Sequence, residues 1–281
     1  MNLVVLGAGQ IGTHLSLQRP GESFHIRLLP VRNFNMNDPK AMKILDESSH
    51  IVWAGKDVAT LSKPGEASTS CFYELLTYLR FRKSMVHFTY LSSGGAIYGN
   101  PNIYPTSEFQ DLNPVSPYGI GKMKHELMLQ TTAEENELVK LLVMRVSNIY
   151  SFGDMDSGLI SSIERAVRNE LNIKILGGEQ TRDYLHIADF NIIVRKFWEN
   201  NVTGTYNIGS GTNYSVNEII DIFESTYQKR LKYVQEPIGA QEVLRSELNV
   251  DKMQSLGPFK FRTFHEILLA HHKLKNSGAR P

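Results

Sequence analysis

The first dozen residues constrain the fold more than any other stretch of the chain. The apolar run Leu3–Leu6 leads directly into the glycine-rich segment Gly7–Gly12, and helical periodicity begins there. A GxGxxG element between a buried strand and a helix is the context that favours dinucleotide binding over a plain turn. Its glycines permit a tight turn, a close approach of backbone to pyrophosphate and close helix packing, while the helix N-terminus offers N–H groups to the anion. The predicted cofactor contacts here are Gly7, Gly9, Gln10, Ile11 and Gly12.

Strand-like and helix-like segments alternate through residues 1–150. The strand-like runs lack polar alternation, which is typical of strands buried on both faces. They are Leu3–Leu6, His50–Trp53, Met85–Leu91 and Leu138–Val146. Segments with helical periodicity lie around Ile11–Gln18, Pro39–Glu47, Ser70–Arg82 and Pro117–Glu134. This order predicts an α/β fold with a doubly wound parallel sheet in residues 1–150.

The pattern of strand-like and helix-like segments changes after Val146. Shorter strands and helices follow, and residues 151–281 are predicted to form a smaller C-terminal α/β cap. The segment from about 182 to 205 is expected to pack back onto the first domain. The proline-rich stretch Asn100–Pro117 is predicted to be a loop over the edge of the sheet.

Composition narrows the range of partners. The chain has 281 residues, a net charge of +1 and no run of Lys or Arg, so nothing indicates nucleic acid or an acidic membrane as partner. Cys71 is the only cysteine, which excludes an intrachain disulfide and argues against a thiolate metal site. We expect no bound metal, no membrane span, a reducing cytoplasmic location and a small-molecule substrate.

The end of the second predicted strand bears on the choice of cofactor. NAD-selective sites usually place an Asp or Glu there to bind the ribose hydroxyls. In this chain Phe24–Leu29 runs into Pro30–Asn33, where Arg32 can meet a 2′-phosphate instead. The pattern favours NADP over NAD, with a solvated loop arginine as the alternative interpretation. Ala54, directly after the third strand-like run, is also predicted to contact the cofactor.

Tyr118 and Lys122 form a candidate catalytic pair. In SPYGIGK, a helix begun by Pro117 places these side chains on one face, with Cβ atoms about 5–6 Å apart. A free tyrosine has a pKa of about 10, and a neighbouring ammonium lowers it by favouring the phenolate. A phenol tuned in this way can act as a general acid or base near neutral pH. The alternative is a surface tyrosine beside a solvated lysine.

Taken in order, several motifs resemble the extended short-chain dehydrogenase/reductases that act on nucleotide-diphosphate sugars. The stretches that carry the resemblance are GAGQIGTHL, LSSGGAIYG, SPYGIGK, MRVSNIY, TRDYLHIADF and YNIGSGTNYSVNEII. The resemblance implies a Rossmann-like domain with a sugar-nucleotide-binding cap and NADP or NAD as cofactor. It also implies that Tyr118 is the acid/base and that Lys122 holds the nicotinamide ribose.

The same resemblance assigns residues to the substrate. It implies that Asn148 and Arg182 contact the nucleotide-diphosphate half, in agreement with the bidentate grip of a guanidinium on phosphate. Arg245 is a second candidate for such a grip. The alternatives are a loop-capping amide for Asn148 and an ion pair with Asp183 or another carboxylate for Arg182. His186 is interpreted as a structural histidine of the strand-like segment YLHIADF.

One departure from the family pattern affects catalysis. The Ser or Thr that normally binds the substrate oxygen falls at Gly94, so we nominate its neighbour Ser93. The alternatives are a water molecule in place of the missing hydroxyl and a Ser93 that bonds only to the local backbone. Gly95 and Ala96 replace the acidic pair of the 4,6-dehydratases, which disfavours dehydration. With dehydration disfavoured, the reaction that the resemblance implies is hydride transfer at C4 of the sugar.

Three functions stay open at this stage. The resemblance favours a 4-keto-sugar reductase of deoxysugar or surface-polysaccharide biosynthesis, because the segment Leu28–Met42 looks like the corresponding segment of NADPH-dependent reductases. A 4-epimerase with tightly held NAD is the alternative, and a non-catalytic dinucleotide-binding sensor is the alternative from another class. A homodimer is expected through Ser70–Arg82 and Pro117–Glu134, as in many family members.

Overall fold

The computed structural model describes residues 1–18, 21–31, 35–55, 67–153, 158–239 and 241–277, with the backbone alone for 67–70. The elements of its first part alternate between strand and helix, apart from two consecutive helices after the fourth strand. They are β1 (Asn2–Leu6), α1 (Gln10–Ser16), β2 (His25–Leu29), α2 (Pro39–Glu47), β3 (His50–Trp53), α3 (Ala67–Phe81), β4 (Val86–Ser93), α4 (Gly94–Ile97), α5 (Pro117–Glu135) and β5 (Val139–Val146).

The second part carries shorter strands. Its elements are β6 (Asn148–Tyr150), α6 (Leu159–Asn169), β7 (Asn172–Leu176), β8 (Thr181–His186), α7 (Ile187–Glu199), β9 (Gly204–Ile208), β10 (Asn213–Ser215), α8 (Val216–Tyr227), β11 (Lys232–Glu236), β12 (Arg245–Ser246), α9 (Asp251–Gln254) and α10 (Phe264–Asn276).

The main sheet has six parallel strands in the order β2-β1-β3-β4-β5-β9. The order reverses between β1 and β3, which creates the crevice at the carboxyl ends of the strands where doubly wound sheets bind ligands. The predicted Rossmann-like parallel sheet is confirmed. Because β9 joins its edge next to β5, the chain returns to this sheet after β8.

Both faces of the sheet are buried. Leu3 and Val5 of β1 face a core that includes Leu15 of α1, whereas Val4 and Leu6 face a core that includes Leu45 of α2. This alternation explains why the strand reads as a continuous apolar run. Helix α7 packs on the first core, and α3 and α5 pack on the second.

The cap is built around β8 and a third core. β8 pairs with β6 and β12 in parallel and with β10 in antiparallel orientation, and β7 pairs with β11 separately. Helices α6, α8 and α10 enclose Ile163, Phe223 and Phe264, among other apolar side chains. Asn148 and Arg182 lie on β6 and β8, two paired strands of the cap.

Two negative observations concern the described residues only. No helix among them has the length and apolar character required to cross a bilayer. Nor does this part of the chain bring three or more His, Cys, Asp or Glu side chains into an arrangement that would hold a metal ion.

Candidate active site

Two glycines of the turn, Gly7 and Gly12, lie against backbone, whereas Gly9 borders free space. Gly7 has a φ of +124°, and a Cβ there would lie 2.5 Å from Gly55 N. A Cβ on Gly12 would lie 1.8 Å from Gly7 O, so both positions require glycine. At Gly9, the N-cap of α1, a Cβ would meet nothing within 4 Å. Free space in front of a helix N-terminus without a side-chain cap fits the pyrophosphate of a dinucleotide.

The other predicted cofactor residues surround this turn. The Gln10 side chain donates a 2.8 Å hydrogen bond to Ser151 Oγ and so links the turn to the segment after β6. Ile11 packs against the first core. The backbone of Ala54 lies against Gly7, at the crevice between β1 and β3. Arg32 lies outside the described residues.

Tyr118 and Lys122 are brought together at the start of α5. The helix begins as its sequence predicts, with Pro117 in the first turn and the Ser116 side chain accepting from the backbone of Gly119. Lys122 is buried, and its Nζ donates a 2.8 Å hydrogen bond to Leu91 O near the end of β4. The same Nζ lies 5.8 Å from the ring centroid of half-buried Tyr118. The ammonium is thus positioned by the sheet beside the phenol.

A buried ion pair holds α5 in this orientation. Glu126 follows Tyr118 and Lys122 at the same four-residue spacing and accepts a 2.8 Å hydrogen bond from Arg145 of β5. Arg145 also donates to the hydroxyl of Tyr98 at 2.9 Å. The sequence interpretation missed Glu126, although Tyr, Lys and Glu at i, i+4 and i+8 of one helix are a readable signal.

His125 is buried close to Lys122. Its ring stacks on Phe72 at a centroid distance of 3.8 Å, and Nδ1 lies 3.2 Å from the hydroxyl of Tyr90. Burial, together with the charge of Lys122, lowers the pKa of His125 to about 3. The imidazole is therefore neutral at physiological pH, and the ammonium is the only one of these two groups that carries charge.

The segment after β4 leaves Ser93 as the hydroxyl nearest the expected position. A Cβ on Gly94 would lie 2.6 Å from Leu248 Cδ1 and 2.9 Å from Arg145 O, so a serine does not fit there. Ser93 is half-buried and is the N-cap residue of α4, yet its side chain makes no capping hydrogen bond. Its role at the site stays a prediction.

Short contacts join α4 to both neighbouring parts of the site. A Cβ on Gly119 would lie 2.5 Å from Ala96 O, so the first turn of α5 lies directly against α4. A Cβ on Gly95 would lie 2.9 Å from Asn148 Oδ1. The short α4 segment therefore lies between the first turn of α5, which carries Tyr118, and Asn148.

Asn148 and Arg182 line one cavity of about 290 Å³ together with Gln10. The parallel pairing of β6 with β8 brings the two residues to neighbouring strands. The first turn of α6 also lines the cavity, and Gly158, its N-cap, provides no side chain to satisfy the helix N–H groups. A cavity with a guanidinium, an amide and a helix start at which the N-cap residue has no side chain is suited to an anion.

The charge of Arg182 is only weakly compensated. Its neighbour Asp183 is occupied elsewhere, accepting 2.9 Å hydrogen bonds from the backbone and side chain of Ser210 and from Gly211 N. The carboxylate recorded near Arg182 is that of Glu242, at 3.9 Å. Burial lowers the pKa of the Arg182 guanidinium from its ordinary value. A phosphate would supply the missing counter-charge.

Arg245 lies apart from this cavity. It is exposed, pairs with Glu247 through two 2.7 Å hydrogen bonds, and its guanidinium lies 4.5 Å from the ring of Tyr104. The structure thus gathers Gln10, Asn148 and Arg182 around one cavity and does not place Arg245 in its lining.

This arrangement defines a dinucleotide-binding enzyme with a Tyr–Lys pair, and comparison with known proteins identifies its family. The sequence model of the NAD dependent epimerase/dehydratase family matches residues 3–209, and the protein belongs to that family. A putative UDP-glucose 4-epimerase of Methanocaldococcus jannaschii is 29% identical, covering 92% of this chain and 92% of that protein. The predicted relationship and the prediction of an enzyme are confirmed.

Two further comparisons extend this result. The dTDP-4-dehydro-6-deoxyglucose reductase of Escherichia coli is 29% identical over 64% of this chain and 55% of its own length. The crystal structure of the UDP-glucose 4-epimerase of Thermus thermophilus in complex with NAD superposes with a TM-score of 0.81 at 19% identity, covering 97% of this chain and 99% of that one. The latter likeness concerns the fold.

Gly9 and Gly12 allow a matched test of the cofactor seat. Gly12→Ala should lower the free energy of unfolding, because its methyl group collides with Gly7 O. Gly9→Ala should leave stability within about 1 kcal/mol, because φ is −80° and the methyl group enters free space. It should nevertheless weaken nicotinamide dinucleotide binding at least about tenfold, since that space is where the pyrophosphate fits.

Urea denaturation and calorimetric titration with NAD and NADP measure the two effects. Unchanged cofactor affinity in a folded Gly9→Ala variant would contradict the assignment of the turn.

Proposed function

We propose that the protein is a nucleotide-sugar 4-epimerase that exchanges hydride and proton at C4 of a nucleotide-diphosphate sugar. The observation that carries this proposal is the continuity of the site. Tyr118 begins the helix that touches α4, α4 touches Asn148, and Asn148 lines the cavity of Arg182. A substrate can therefore bind its phosphates at Arg182 and place its sugar beside the phenol.

The diphosphate is assigned to Arg182, Asn148 and the start of α6. A guanidinium whose nearest recorded carboxylate is 3.9 Å away retains capacity for a bidentate phosphate contact. The first N–H groups of α6, which receive no side-chain cap from Gly158, add the positive end of the helix dipole. Asn148 offers an amide to the oxygen that bridges phosphate and sugar. Arg245 would join the site only if its pair with Glu247 opened.

Proton exchange is assigned to Tyr118. The phenol takes the proton of the sugar 4-hydroxyl on oxidation and returns one on reduction, while Lys122 favours the phenolate electrostatically. Ser93 is assigned a hydrogen bond to the same sugar oxygen, because its hydroxyl is not used for helix capping. Bound nicotinamide dinucleotide supplies the hydride chemistry, for which the glycine turn provides the seat.

Support for the epimerase over the reductase comes from the extent of the similarity. The epimerase relative matches over nine-tenths of both chains, whereas the reductase relative matches over little more than half of its own length. The sequence interpretation ranked the two activities in the opposite order on the strength of Leu28–Met42. Several of those residues, Arg32 among them, lie outside the described part of the chain, and the reductase remains the second candidate.

Cofactor retention separates the two activities. An epimerase uses the same nicotinamide for oxidation and reduction, so we expect the purified protein to carry NAD. Mass spectrometry of the denatured protein and absorbance at the nicotinamide band measure it. A site that is empty on purification and takes up NADPH in preference to NADH would favour the reductase and the role of Arg32 in NADP selection.

Replacing Tyr118 by Phe tests the chemistry itself. The variant should bind cofactor and nucleotide sugar as before, while kcat for C4 epimerisation falls by about 10²- to 10⁴-fold, the usual contribution of a general acid/base. Tyr233→Phe, at an exposed tyrosine of β11, is the matched control and should retain full activity. If Tyr118→Phe turned over at the original rate, the phenol would not be the proton-transfer group.

A homodimer through α3 and α5 is part of the proposal. The two helices pack against each other, and their outer sides expose the apolar side chains of Tyr73, Ile120 and Leu127. Leu127 lies seven residues after Ile120, so the two share one face of α5. A second copy of the chain can cover these side chains in a four-helix contact.

Charge placed on this face should prevent dimerisation. With a chain mass of 31.8 kDa, the native protein should scatter light with twice that mass, and Ile120→Glu combined with Leu127→Glu should scatter with the single-chain mass. Leu176→Glu, at an exposed leucine of β7, is the control and should remain dimeric. A native protein that is monomeric at micromolar concentration would refute the interface.

A further inference from the structure

Three histidines far apart in sequence converge on a second cavity. It has a volume of about 480 Å³ and lies where α1, the start of α7 and α10 meet. Its polar lining includes His14, His186, His271 and Arg262. None of these residues has a part in the proposed chemistry, and no glycine of the cofactor seat lines this cavity.

Each of the three histidine rings forms a hydrogen bond to the protein through one of its two nitrogen atoms. His14 Nδ1 lies 3.0 Å from Gln10 O and therefore donates to it. His186 Nδ1 accepts from Ala188 N at 3.3 Å, which places the ring proton on Nε2. In His271 the ring nitrogen Nε2 lies 2.8 Å from Glu164 Oε1, and the ring stacks on Phe152. The Nε2–H of His186 is thus available as a donor to a ligand, whereas the second nitrogen of a neutral His14 or His271 ring can only accept.

The electrostatic environment favours an anion. Burial lowers the pKa of His186 to about 4, and the neighbouring Arg262, His14 and His271 add to the effect. The described lining contains no carboxylate. Of the acidic groups behind it, Glu164 is engaged with His271 and Lys275, and Asp189 faces Arg262 from outside the lining.

Apart from Ser151, Ala188 and Asn191, the remaining lining consists of large apolar side chains and Ala270. These apolar walls are formed by Leu17, Phe152, Ile187, Ile267, Ala270 and Leu274. Inorganic phosphate would leave these walls and most of the volume unused. A ligand that combines an anionic group with a carbon body fits both kinds of wall.

We propose that this cavity binds an organic phosphate. Arg262, which is exposed at its rim, and the Nε2–H of His186 hold the phosphate, while the carbon body lies on the wall of Phe152 and Ile267. A guanidinium can bind two phosphate oxygens in parallel, and a neutral imidazole can donate to a third. The site is distinct from the Arg182 cavity, with which it shares only Ser151 among the described lining residues.

The experiment uses the full-length protein saturated with NAD and titrated with phenyl phosphate. Calorimetry should show saturable binding, with phenol and inorganic phosphate each much weaker. Arg262→Gln should lower the affinity at least about tenfold, because it removes the charged, bidentate contact. Arg230→Gln, at an exposed arginine that pairs with Glu224, is the matched control and should leave the affinity unchanged.

Nuclear magnetic resonance of the histidine rings locates the ligand. Signals of His14, His186 and His271 should shift on titration, whereas that of exposed His265 should not. Absence of saturable binding, equal affinity of the Arg262→Gln variant, or loss of binding in Arg182→Ala would each overturn the proposal. The last result would place phenyl phosphate in the substrate cavity and leave the proposed function standing.

Discussion

The ion pair between Glu126 and Arg145 is the interaction on which the geometry of the site depends. Both side chains are almost completely buried, so removing either one would strand a charge in the core, at a cost of about 3–5 kcal/mol. The pair ties α5 to β5, while Lys122 ties the same helix face to β4 through Leu91 O. Two attachments one helical turn apart fix both the rotation and the height of α5. The Tyr118 side chain lies one turn closer to the start of α5, so the same two attachments fix its position.

The parallel sheet explains why residues from distant parts of the chain meet. Parallel strands all end at the same edge, so the segments after β1, β4 and β5 bring the glycine turn, Ser93 and Asn148 to one crevice. The cap contributes Arg182 from β8, whose pairing with β6 fixes its distance from Asn148. Because β9 then returns to the main sheet, β8 and its arginine are attached to the first domain on both sides.

The sequence predicts those parts of the arrangement that depend on neighbouring residues. Pro39–Glu47 is predicted with its observed bounds, since Asp38 caps the helix and Pro39 starts it. Gly7 and Gly12 are predicted from the motif alone, and the structure gives the steric reason. Contacts between distant segments leave no such signal. Nothing near Arg245 in the sequence indicates that it stacks on Tyr104.

The same limit applies to the histidines. His186 reads as an isolated structural residue in its own strand, because the residues that give its environment a net positive character come from α1, α10 and the segment before α10. A pattern search along one chain cannot detect a cluster whose members are separated by more than 80 residues. Only the fold, which brings α1, the start of α7 and α10 around one cavity, makes it visible.

The absence of a serine at position 94 follows from the way the cap closes on the sheet. Leu248 fills the space that a Gly94 side chain would occupy, and its neighbours pair with the loop at Thr106. A hydroxyl at position 94 would therefore displace a buried leucine and loosen the contact between cap and sheet. A hydroxyl at position 93 has no such cost, because that residue ends β4 and is half-exposed. The packing around Gly94 is thus consistent with the departure from the family pattern, and Ser93, whose hydroxyl is proposed to contact the sugar oxygen, lies one residue earlier.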